Sequence, residues 1–71
     1  MKEEHYNWLN EPNHKLFMYS SQFINKEDKR YLYEIYNDLT GENKRPNSCG
    51  RCVTNTLKMI KHHYELYTKI Q

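Results

Sequence analysis

The sequence has no apolar run approaching the ~20 residues that cross a bilayer, so no membrane-spanning segment is expected. Its opening stretch, Met1-Lys2-Glu3-Glu4-His5, lacks the apolar core of a secretory signal, which makes the cytoplasm the expected address. Glycine, proline and cysteine occur only twice each. There is no glycine-rich phosphate loop, no nucleophile–base–acid set and no clustered carboxylate pair, so catalysis is not expected. The two cysteines form one C-x-x-C, and a bridge between them would close too small a loop to staple a fold. Neither sign of charge dominates: the net +2 permits contact with nucleic acid without demanding it. Repeats, low-complexity tracts and interdomain linkers are also missing, and 71 residues make one domain.

What is present is aromatic surface: seven tyrosines, two phenylalanines and one tryptophan. Each offers a large apolar face and, for tyrosine and tryptophan, one polar tip, which serves a thin core or a partner surface equally well. A chain this short buries only about 60% of its unfolded surface. Its core is therefore marginal, and such chains usually lean on a metal, a bridge or a partner.

The stretch from Arg45 to Ile70 organises the rest. Wound at about 100° per residue, it sorts Cys49, Cys52, Val53, Thr56, Leu57, Met59, Ile60, His63, Tyr64, Leu66, Tyr67 and Ile70 into one half of a helical wheel. Arg51, Lys58, Lys61, His62, Glu65 and Lys69 fall in the other half. One side must meet something apolar and the other water. Earlier in the chain, Asn25 reads as the N-cap of a helix in which Tyr31, Leu32, Ile35, Tyr36 and Leu39 share an arc, with Tyr33 outside it, and Gly41 reads as its left-handed end. Asn10-Glu11-Pro12 reads as a further start, capped by Asn10, of a helix from about Glu11 to Gln22 with Leu16, Tyr19 and Phe23 on one side. Trp8 and Leu9 are expected to pack rather than stand exposed.

The expected fold is all-α: a small three-helix bundle or helical hairpin with a long C-terminal amphipathic helix. It comprises an N-terminal segment (1–24), a helix (25–41), a polar loop (42–47) and the long helix (48–70), capped by Asn47 or Ser48. Tyr31, Tyr36, Tyr64 and Tyr67 are expected to form an aromatic seam between the two main helices. His63, mid-face, is expected to be a hydrogen-bonded core residue. The long helix, at roughly 33 Å against roughly 22 Å for its partner, outruns it, so Leu66, Tyr67 and Ile70 need cover from the N-terminal segment or from another chain.

Three constellations carry possible chemistry. Cys49 and Cys52 in a helix's first turn suit thiolate, hence metal or redox exchange, but nothing supplies the βαβ frame of a thioredoxin-type enzyme. Zinc requires four ligands. His62 and His63 lie too far along the same helix, leaving His5 or His14 folded back, or a second chain's C-x-x-C, to complete a set with Cys49 and Cys52. The simpler expectation is that both cysteines are small apolar plugs where the two helices meet. Lys44, Arg45, Arg51 and Lys58 could follow a phosphate backbone, though Glu65 interrupts the line. A membrane-surface role is disfavoured by the mildly basic polar face.

The segment Tyr36-Asn37-Asp38-Leu39-Thr40-Gly41, followed by Pro46-Asn47-Ser48-Cys49-Gly50-Arg51-Cys52 and a helix, resembles small uncharacterised proteins encoded by tailed bacteriophages. The resemblance implies a phage setting, in the host cytoplasm or the virion, where proteins of this size tend to be minor virion components or binders of a host protein. The resulting expectation is a non-enzymatic protein without a cofactor. It docks a protein partner, itself or a host protein, through Leu57, Met59, Ile60, Tyr64, Leu66, Tyr67 and Ile70. The alternative expectation is a zinc-stabilised nucleic-acid-binding module.

Overall fold

The computed structural model describes residues 1–20, 24–46 and 50–70, which form four helices and no strand. The all-α bundle is as expected, but the helices number four rather than three because the N-terminal segment folds as two: α1 (Glu3–Asn10) and α2 (Pro12–Tyr19), followed by α3 (Lys26–Thr40) and α4 (Gly50–Ile70). None of these helices is long and apolar enough to cross a membrane.

The break between α1 and α2 is made by proline. A residue preceding proline is pushed out of the helical region, and Glu11 is extended, with φ −65° and ψ 137°. Pro12 then begins α2, where its missing N–H is no loss. Glu11, not Asn10, is thus the N-cap, and it gives no side-chain cap. Asn10 instead ends α1 and accepts a hydrogen bond from the Tyr64 hydroxyl at 2.7 Å.

α3 has the boundaries its sequence signals. Asn25 Oδ1 accepts from the Asp28 backbone N–H at 2.8 Å, Glu27 and Asp28 complement the positive helix end, and Gly41 closes the helix at φ 74°. The α4 cap expected at Asn47 or Ser48 lies outside the described residues.

One core draws on all four helices: Leu9, Met18, Leu32, Ile35, Tyr36, Ile60 and Tyr64. α3 and α4 pack most extensively on each other, and α1 and α2 lie against α4. Trp8 stacks on His14 at 3.7 Å and contacts Tyr31 at 4.7 Å, while Leu9 is wholly buried, so the Trp8-Leu9 pair packs as expected. The expected tyrosine seam is arranged differently. Tyr64 and Tyr67 meet Tyr6 of α1 at 5.2 and 4.7 Å, and Tyr31 meets His5 and Trp8, also of α1. α1 gathers the rings because it reaches both main helices. α2 also turns differently from expectation: Met18 is buried and His14 and Phe17 are half-buried, which leaves Leu16 and Tyr19 exposed. Phe23 lies outside the described residues.

Candidate functional site

The apolar half of α4 is part buried and part exposed. Thr56, Ile60 and Tyr64 are buried, with Val53, Leu57 and Tyr67 half-buried beside them. The Thr56 hydroxyl is satisfied by donating to the Cys52 carbonyl at 2.9 Å. About 100° around the helix, Met59 is 39%, Leu66 42% and Ile70 84% exposed, and Cys52 is exposed in line with them. Cys52, Met59 and Leu66 recur every seven residues, the spacing that keeps one edge of a helix facing a neighbour. Of the seven expected docking residues, the structure therefore turns Ile60 and Tyr64 into this chain's own core. Leu57 packs against that core and Tyr67 against Tyr6, leaving Met59, Leu66 and Ile70 exposed. His63 is half-buried rather than central to the core, its ring 5.7 Å from that of His62.

Among the described residues the expected zinc ligands are not gathered into one set. His14 donates from Nδ1 to the Trp8 carbonyl at 2.8 Å and faces the Glu11 carboxylate at 3.2 Å. His5 is 5% exposed, its Nδ1 3.9 Å from Asp38. Cys49 lies outside the described residues, and among the described residues no group of three or more His, Cys, Asp or Glu is placed to hold a metal. Cys52 is not the apolar plug expected, because position 52 falls on the outer edge of α4 while its neighbour Val53 faces inward.

Among the expected phosphate-facing residues, Lys44 is tied to α3. Its ammonium lies 5.0 Å from the Tyr36 ring centroid and 3.8 Å from Glu42, and its backbone exchanges two hydrogen bonds with the Asn37 side chain, at 2.9 and 3.0 Å. The Tyr36 side chain, then Glu42 more weakly, raises the Lys44 pKa. Arg45, Arg51 and Lys58 are exposed.

A second feature surrounds Tyr19, which the periodicity of α2 had assigned to an apolar side. It is 47% exposed, with the Lys61 ammonium 4.6 Å from its ring centroid and its hydroxyl donating to Glu65 at 3.2 Å. Burial, followed by the Glu65 carboxylate, raises its phenol above the ordinary tyrosine value, so the ring is neutral at physiological pH. An open hollow of about 490 Å³ lies on one side, floored by Phe17, Ile24, Val53 and Leu57 and edged by Lys58 and Lys61. Tyr19 also lines a second hollow of about 300 Å³, edged by Lys15, Glu65 and Lys69. The signal for this site was the run of lysines on the polar side of α4; what the sequence could not supply was the position of α2 beside it.

The chain is thus an all-α bundle presenting an apolar edge and a lysine-rich face. Comparison with protein families, with curated proteins and with solved structures finds no match.

Proposed function

We propose that this chain is a non-enzymatic binding protein that docks another protein along the outer edge of α4, through Met59, Leu66 and Ile70. The observation that carries the reading is that these side chains stay exposed after all four helices have contributed to the core. Three large apolar side chains share one helix edge, Met59 two turns before Leu66 with His63 between them and Ile70 one turn beyond, which is more than the scattered exposure normal for a soluble surface. Each half-exposed Met or Leu has roughly 1 kcal/mol still to gain from burial, about half of the ~1.5–3 kcal/mol for complete burial. On this reading the setting is a phage one, as a minor virion component or a binder of a host protein, which is what the resemblance carried by the segments 36–41 and 46–52 implies. A second copy of the chain is an admissible partner.

Sedimentation velocity over a concentration series, paired with affinity capture from host lysate, tests this. The expected result is self-association or a stoichiometric complex that Met59→Glu/Leu66→Glu abolishes, with the helical circular-dichroism signal unchanged because both positions already face solvent. A strictly monomeric chain that captures nothing, or a complex indifferent to the double substitution, overturns the reading.

A further inference from the structure

Four lysines and one carboxylate, Lys15, Lys58, Lys61, Lys69 and Glu65, surround Tyr19 on the α2–α4 face. Their excess of positive charge is larger than the +2 of the whole chain, so the remainder of the molecule is net acidic. The charge is not spread evenly but gathered here. Among the described residues none of these lysines has a carboxylate within ion-pair distance, whereas Lys2 and Lys44 are paired. Lys58 to Lys69 extends over roughly 16 Å of helix.

We propose that this face binds single-stranded nucleic acid, with Tyr19 as a stacking platform and the lysines as phosphate contacts. A neutral ring that borders both hollows, covered on one face only by the flexible Lys61 side chain, accepts a planar base once that ammonium swings onto a phosphate, and the flanking lysines neutralise the backbone that joins the bases. A purely acidic peptide such as oligoglutamate would satisfy the lysines but brings no ring to stack on Tyr19. A duplex keeps its bases stacked on one another and out of reach of Tyr19. The inference is independent of the Met59–Leu66 edge and of any metal.

Fluorescence anisotropy with a labelled oligothymidine of about 12 nucleotides is the direct measurement. Binding is expected to weaken with salt at a log–log slope of roughly −2 to −3, from about 0.7 per neutralised phosphate and three to four lysines. Lys58→Glu/Lys61→Glu should reduce affinity at least about tenfold and flatten that slope. Tyr19→Ala should cost at least about fivefold with the slope unchanged, and Tyr19→Phe should restore binding. Met59→Glu/Leu66→Glu should leave it intact, which separates this site from the docking edge. The proposal is overturned by no binding at low salt. It is equally overturned if the charge-matched control Lys26→Glu/Arg30→Glu on α3 weakens binding as much, or if oligoglutamate or an equal-length duplex competes as well as the single strand.

Discussion

Tyr33 is 2% exposed and, among the described residues, its hydroxyl has no hydrogen-bond partner. A buried unsatisfied hydroxyl costs roughly 1–3 kcal/mol, and deleting it leaves no orphan behind. Tyr33→Phe is therefore expected to hold stability constant or raise it by about 1 kcal/mol in urea titration; a loss of that size would mean that the hydroxyl is bonded after all. The helical wheel put Tyr33 outside the α3 arc, and only the finished packing reveals that it is enclosed. Tyr19 is the converse case: its spacing from Leu16 suggested an inward side chain, yet both are exposed. The reason is that α2 presents His14, Phe17 and Met18 inward, an orientation set by Pro12 and by the α4 surface on which the helix lies.

At the scale of elements, α3 is the helix most completely written in its own residues. Its ends depend on a side chain three positions from the N–H it caps and on a glycine at φ 74°, both local and both readable. Asn25→Ala is expected to lower stability by about 1 kcal/mol, measured as a fall in the denaturation midpoint with an unchanged slope. An equal midpoint would show that the Asn25 cap does not stabilise the folded state. The α1–α2 boundary was misplaced by one residue for an equally local reason: the restriction that proline imposes on Glu11 outranks the capping preference of Asn10. The apolar half of α4 was legible from period alone. Which part of that half would be covered was not, because coverage depends on where α1 and α2 land, a property of the tertiary arrangement.

At the scale of the molecule, the bundle is held by contacts between residues far apart in sequence. Tyr64 donates to Asn10 across 54 positions, and the Tyr6 ring lies against both Tyr64 and Tyr67. Tyr64→Phe and Asn10→Ala are each expected to cost about 0.5–1.5 kcal/mol, and the double variant no more than the larger single loss, because they remove the same bond. Strict additivity in that thermodynamic cycle would show that the two groups do not act together. The same arrangement explains the exposed edge. α1 and α2 together hold only 16 residues, enough to cover the side of α4 bearing Ile60 and Tyr64 but not the side bearing Met59 and Leu66.

The bond from Asn10 to Tyr64 also bears on how the protein is made. Tyr64 follows Asn10 by 54 residues, so during synthesis Tyr6 cannot meet Tyr64 and Tyr67 until that later stretch has also left the ribosome. Until then the face of Tyr6 that Tyr64 and Tyr67 will cover is open to solvent or to a chaperone.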